Sequence, residues 1–346
     1  MATTWFEQLF GFPEAPYLET QASFELQGES VRSKVNGRSF VAGRFSTPSL
    51  AWLREQAAGL LPGVLKVRHE AVGDVLELHA LPDNEGAMFQ AASQLNCLEF
   101  AGAEEVPEDG ITQYATDPTQ GPACALAAAG ATVVRNYFAE VAGARGQTRD
   151  RQLNNLDAVQ ARLGAAGACI EVRNGYTFSD VARLRELGSA LATHDREELL
   201  GAVKVGIHAD VGVTFARRFV EPDQPRLVSQ AFCSALSCGY TGGSLELWAP
   251  LATIVLDAAY EATLLAAVLD TAHGRGSGKV WLTFLGGGAF GNDRRWIAGA
   301  ISLALSRLGN RALDVRIAHY RSIDERIRQA VDSALSEGGG RFPAAQ

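Results

Sequence analysis

Several common functional signatures are missing from this chain of 346 residues. Its five cysteines, Cys97, Cys124, Cys169, Cys233 and Cys238, include no C-x-x-C pair. An odd, scattered set excludes a disulfide framework and a thiolate zinc site as first readings, and leaves reduced thiols. The six histidines form no H-x-x-x-H or H-x-H pair, so no metal site is expected. Basic residues are outnumbered, 31 Lys and Arg against 39 Asp and Glu, for a formal charge of −8. An extended phosphate-neutralising surface needs clustered cations, so a nucleic-acid partner is not expected.

No basic segment followed by an apolar run opens the chain, and a cytoplasmic protein without a secretory signal is expected. The most apolar long stretch, Trp248 to Leu269, carries Asp257 and Glu261 and reads as a buried helix, not a membrane span. Two ligand-binding patterns are also absent. There is no G-x-G-x-x-G followed by an acid about 20 residues on, and no P-loop Gly-Lys-Ser/Thr. Dinucleotide oxidoreductases and ATPases therefore start weak, and no cofactor is expected.

Glycine is plentiful, with 36 residues, several of them clustered in short loops. Residues 1–70 read as an elaboration placed before the main fold. Asn36-Gly37 between two β-prone runs predicts a hairpin. Ser49 and the early Pro48 open a helix from Leu50 to Leu61. The run Val72 to Leu81 reads as a strand, and Ala87 to Phe100 as a second strand or loop. Glu104 to Pro122 is polar and irregular, carries five acids, and leads into a small-residue helix near Pro122. Long irregular loops inside compact domains are disproportionately functional.

Asn174-Gly175 marks another turn, and Ser179 is expected to cap the helix that follows. Gly201 to Phe215 and Arg226 to Leu236 read as strands, and Ala249 to Thr271 as a long helix. The last hundred residues have the clearest order: strand Lys279 to Leu285, glycine loop 286–292, helix Arg294 to Leu308, strand Leu313 to His319, helix Ile323 to Leu335. A loose tail follows, over 339–346. Alternating strands and helices predict an α/β layered fold, a three-layer sandwich with a mainly parallel, mixed central sheet. The main domain is placed at 71–338.

The loop Gly286-Gly287-Gly288-Ala289-Phe290-Gly291-Asn292 joins a strand to a helix. Glycines let the backbone approach a ligand closely, and the next helix presents its positive end. A diphosphate fits such a site, and so would a sulfate or a carboxylate. The plainer reading is a tight turn, with Asn292 or Asp293 as the helix cap.

The residues Leu282 to Asp293, with the helix and the strand Asp314 to Tyr320 after them, resemble the second phosphate loop of the macrodomain and poly(ADP-ribose) glycohydrolase superfamily. That resemblance implies a macrodomain-like fold and a diphosphate held by Gly286, Gly287, Gly288, Ala289, Gly291 and Asn292. It implies that Phe290 packs on the distal ribose and Tyr320 stacks on adenine. The upstream run Phe89 to Asn96 is similar to the superfamily's ribose-side strand, which ends in an asparagine, here Asn96.

The Gly-Gly-Gly…Gln-Glu-Glu signature of the glycohydrolases is missing. In its place stands Pro107 to Pro122, with Asp109 and Asp117 eight residues apart. This arrangement is most similar to the divergent MavL-type branch, ADP-ribosylhydrolases acting on ADP-ribosylated arginine of ubiquitin. The resemblance implies removal of mono-ADP-ribose from a modified protein, with ubiquitin as the partner in that branch.

Carboxylates can stabilise oxocarbenium character, activate water, and pair bidentately with a guanidinium. Asp109 and Asp117 are assigned this work, with Glu108 behind them and Thr119 and Gln120 on the ligand side. A solvated acidic loop is the competing reading. The other open alternatives are a non-catalytic ADP-ribose reader and a module for another phosphate-bearing nucleotide. Cys124, near a helix start but without a local histidine, reads as a small buried hydrophobe. Ser234, Ser237 and Tyr240 either line a cleft or merely end a strand.

Overall fold

The computed structural model describes residues 3–214, 225–241 and 243–337; the expected tail at 339–346 lies outside them. Seven strands make the central sheet: β1 (Arg44–Ser46), β2 (Lys66–Val72), β3 (Met88–Ser93), β4 (Gly206–Gly212), β5 (Leu227–Ser234), β6 (Lys279–Leu282) and β7 (Asp314–Tyr320). Their order is β1-β4-β5-β3-β6-β7-β2. β5, β3, β6, β7 and β2 pair in parallel, while β4 is antiparallel to both of its neighbours. The expected mixed, mainly parallel sheet is therefore present. Residues 1–70 supply both of its edges, through β1 and most of β2, besides the expected hairpin of Ser30–Ser33 with Ser39–Val41.

Helices cover both faces, as strands buried on two sides require. On one face lie α2 (Val75–Ala80), α3 (Gln120–Ala127) and α4 (Ala129–Tyr137), over Ala87, Phe89, Val211, Val228 and Trp281. On the other lie α1 (Leu50–Gln56), α5 (Leu245–Ala272), α6 (Arg294–Leu308) and α7 (Glu325–Glu337), over Met88, Ala231, Val280, Leu282, Val315 and Ile317. Helix α5 is long and apolar enough to cross a membrane, yet it is almost wholly buried inside the fold. It is the core helix.

Two local expectations are corrected. Val72 to Leu81 is not a strand: β2 ends at Val72, and Asp74 accepts the Leu76 N–H to start α2. Val75, Leu76, Leu78 and Leu81 are apolar at helical spacing, which a short run does not distinguish from a strand. The helix Val181–Leu191 is capped by Asp180, whose side chain takes the Arg183 N–H, while Ser179 donates instead to the Cys169 carbonyl. In β4 a bulge between His208 and Val211, with Asp210 at φ 57°, breaks the alternation. His208 is buried, and Asp210 turns out to pair with Arg44 and Arg275.

Four histidines, His69, His79, His208 and His319, are held below the usual imidazole pKa, each chiefly by burial. His79 stacks on Phe89 at 3.8 Å, and burial pushes its pKa down to about 4 from 6.5. His208 is lowered by burial and by the Arg135 charge, and His69 and His319, 2.7 Å apart, chiefly by burial. A base depressed by folding binds fewer protons folded than unfolded, so its stability contribution is complete above pH 6.5 and is lost on acidification. Melting temperature is expected to fall from pH 6.5 toward pH 4, and less steeply in His79→Gln. Equal slopes in the two proteins would count against His79 as a source.

Candidate active site

In an open parallel sheet, ligands bind outside the carboxyl ends of the strands. Here five adjacent strands deliver, in order, the turn after β5, the acidic loop after β3, the glycine loop after β6, Tyr320 at the end of β7, and Gly73-Asp74 after β2. The row opens because β6 pairs with β3 only at Met88 and Phe89. Beyond that point the Gln120 side chain takes the place of a strand neighbour. Its Oε1 accepts the Ala92 N–H (2.7 Å) and its Nε2 donates to the Gln90 carbonyl (2.8 Å).

The glycine loop is held from behind. Asn292 is buried and donates from Nδ2 to the carbonyls of Leu236 (2.7 Å) and Phe290 (3.4 Å). Gly286 sits at φ 70°, and a side chain there would meet Ala235 at 2.5 Å. Gly291, at φ 69°, lies against Gly239, whose N–H donates to Phe290 O. The front of the loop, Gly287 to Ala289, is exposed. The N–H groups of Gly286, Gly288, Ala289 and Phe290 have no hydrogen-bond partner among the described residues. Such a run of backbone donors makes an anion-binding concavity. The start of α6 contributes less than expected, because the Asp293 carboxylate already caps it through the Arg295 N–H (2.8 Å).

Phe290 meets the Tyr176 ring at 5.4 Å and the Tyr240 ring at 5.9 Å, and Tyr240 is 41% exposed. Tyr176 donates its hydroxyl to Phe100 O (2.8 Å). Burial, and then the charges of Tyr240, Glu99, Glu105 and Asp117, hold that hydroxyl far above its usual pKa. Tyr176 thus links the glycine-loop aromatic to Phe100, at the entry to the acidic loop. Sequence reading missed Tyr176, although the Asn174-Gly175 turn brings it there.

The acidic loop is a pair of single-turn helices, Pro107–Asp109 and Thr112–Thr116. Asp117 is half-buried and accepts the Thr119 N–H (2.8 Å), which sets up the start of α3. Thr119 is exposed at the N-cap position. Asp109 is exposed, and its carboxylate accepts the Val106 N–H (2.8 Å). Glu108 turns instead to the Arg149 N–H, 2.9 Å from both oxygens. Asn96 uses both ends internally, donating to Gln152 Oε1 (2.8 Å) and accepting from Leu98 N (3.1 Å).

The N-terminal segment buttresses this loop. Glu14 accepts the N–H groups of Ile111 (2.8 Å) and Thr112 (2.7 Å), and Trp5 Nε1 donates to Thr112 O (2.9 Å). Neither residue was singled out by the sequence. Ser237 bonds to Thr177 and Ser234 to Ala235 O, so these serines close turns. Cys124 is buried, and its burial raises the thiol pKa. Among the described residues no cluster of His, Cys, Asp or Glu could hold a metal.

Gly121, in the first turn of α3, has no room for a side chain: a Cβ would lie 2.1 Å from both Ala92 O and Glu99 Oε2. Gly121→Ala is expected to cost about 1–3 kcal/mol by overpacking, read by urea denaturation. Undiminished stability would show that α3 shifts freely.

Tyr320 is 72% exposed, with the Arg321 guanidinium 4.9 Å from its ring. Its register partner Val72 lines a cavity of about 430 Å³, which Asp74, Glu77, Leu78, Leu81 and Trp281 also border.

No protein-family model and no curated protein matches the chain. Solved structures of poly(ADP-ribose) glycohydrolase are similar to it at a distance. The enzyme from Deinococcus radiodurans, in complex with ADP-ribose, is 11% identical over 86% of this chain and 93% of that one, with a TM-score of 0.42. The enzyme from Thermomonospora curvata, bound to the inhibitor ADP-HPD, is 15% identical over 92% and 94%, with a TM-score of 0.38. At these values no residue role is carried across.

Proposed function

We propose that the protein binds ADP-ribose along the carboxyl edge of the sheet and hydrolyses it from a modified protein, with arginine as the linkage. The observation that carries this reading is the exposed row of unpaired loop amides, with Phe290 in contact with Tyr176 and Tyr176 bonded to Phe100 O at the entry to the acidic loop. The diphosphate lies on the amides of Gly286 to Phe290, the distal ribose against Phe290, and the base toward Tyr320 and its adjoining cavity. The scissile bond then lies at the acidic loop.

In the proposed reaction the bond between the ribose anomeric carbon and the arginine nitrogen breaks, and water adds to the carbon. Asp117 takes the proton that water loses and passes it to the departing guanidine nitrogen, so the arginine leaves as the guanidinium and Asp117 is regenerated as the carboxylate. Asp109 is the second carboxylate, pairing with that guanidinium. The ligand's negative charge needs no basic side chains, which agrees with the acidic composition of the chain.

The test is incubation with arginine-, serine- and glutamate-linked mono-ADP-ribosyl substrates, with calorimetry on free ADP-ribose. Release from the arginine linkage is the expected outcome. Binding without release would make the protein a reader, and no binding would remove ADP-ribose from the account.

A further inference from the structure

Glu99 lies between Leu98 and Phe100 in the turn after β3 and is 1% exposed. Its N–H donates to the Tyr114 hydroxyl (3.0 Å), and its Oε1 has no hydrogen-bond partner among the described residues. Its other oxygen faces the Cα of Gly121, at the point where the Ala92 carbonyl also converges. Tyr114 and Gly121 bracket Asp117 in the chain. On the upstream side, the Asp117 N–H donates to Tyr114 O; downstream, Asp117 Oδ1 holds Thr119 at the head of α3.

We infer that the Glu99 carboxyl is a positioning group for the proposed hydrolysis, seated against the Gly121 end of the segment that carries Asp117, whose Tyr114 end the Glu99 backbone N–H holds. It never touches substrate, being closed off from solvent. A carboxylate crowded against a carbonyl oxygen repels it, whereas the protonated acid does not. Burial pushes the Glu99 pKa up to about 8 from 4.5, and the Asp117 charge adds to the rise. Against burial, a hydrogen bond from Ser93 and then the charge of the buried Arg135 lower it, each by more than Asp117 raises it, and burial outweighs them.

Arg135 does not form an ion pair with it. That guanidinium is spent on Cys97 O, Thr132 Oγ1 and His208 Nδ1, over the Phe232 ring at 3.7 Å. The remaining ionisable neighbours, Tyr114, Cys97 and Cys124, are themselves pushed up by burial and stay neutral. An uncharged Glu99 sets no second negative charge behind the segment that carries Asp117, the proposed acceptor of the water proton.

The role rests on the hydrolase reading, but the protonation state can be measured without it. An acid whose pKa is raised by folding keeps its proton in the folded state while the unfolded chain loses it, so stability falls as pH rises between the two values. The melting temperature of Glu99→Gln minus that of wild type should therefore grow from pH 4.5 to about 8 and then level off. In ADP-ribose release, wild-type kcat should decline above pH 8. Glu99→Gln should keep kcat near pH 7 within about threefold and lose that decline, while Glu99→Leu lowers kcat at every pH.

A stability gap that does not vary with pH overturns the protonated carboxyl. An alkaline decline unchanged in Glu99→Gln overturns the positioning role. A pH-dependent gap in a wild type that releases no ADP-ribose overturns the hydrolase reading, and the positioning role with it.

Discussion

Asp117→Asn is expected to slow release of ADP-ribose from an arginine-linked substrate by about 10²–10⁴-fold, the usual range for loss of a general base. ADP-ribose affinity should stay within about threefold of wild type, because the interaction lost is made in the transition state and not with the free ligand. The substitution suits this question. Asparagine retains an oxygen that can accept the Thr119 N–H, so the start of α3 keeps its partner and the charge alone is removed. Single-turnover kinetics and calorimetry on the same preparation read the two quantities separately. Wild-type turnover by Asp117→Asn would end the assignment. Asp109→Asn, which likewise keeps an acceptor for Val106 N, gives the comparison for the second carboxylate. If Asp109 pairs with the guanidinium, its loss raises KM for the modified protein and spares affinity for free ADP-ribose.

What is legible in the chain without its structure, and what is not, divides along range of interaction. The helix Arg294–Leu308 is legible to the residue, because its apolar spacing and the Asp293 cap are encoded locally. The hairpins at Asn36-Gly37 and Asn174-Gly175 are legible for the same reason: two adjacent residues that tolerate positive φ specify the turn. Val72 to Leu81 misleads because β2 and α2 meet inside it, and only the Asp74 side chain marks the junction. Glu99, Glu14 and Tyr176 cannot be found in this way. Each acts through partners far along the chain, Gly121, Ile111 and Phe290 among them, and nothing in their immediate neighbours distinguishes them. Asn96 lies at the other extreme. A polar residue at the expected place is occupied by Gln152 and Leu98 N.

The glycine loop invites a sharper experiment than wholesale replacement, since its glycines do different work. Gly286 and Gly291 are required by the fold, with positive φ and neighbours closer than a side chain allows. Gly288 is exposed, has nothing within 4 Å of an added Cβ, and does not have a positive φ. Gly288→Glu should therefore fold normally, its stability within about 0.5 kcal/mol of wild type as for other exposed substitutions. It places a negative charge beside the unpaired amides where the diphosphate is proposed to lie. Like charges brought together cost several kcal/mol, so ADP-ribose affinity should fall by about 100-fold or more. Gly288→Ala leaves the charge unchanged and should bind nearly as wild type, whereas Gly286→Ala should lose stability first and binding as a consequence. Calorimetry and melting curves on the three variants separate these outcomes. Unimpaired binding by Gly288→Glu would move the diphosphate away from this loop, and with it the reason for placing the scissile bond at Asp117.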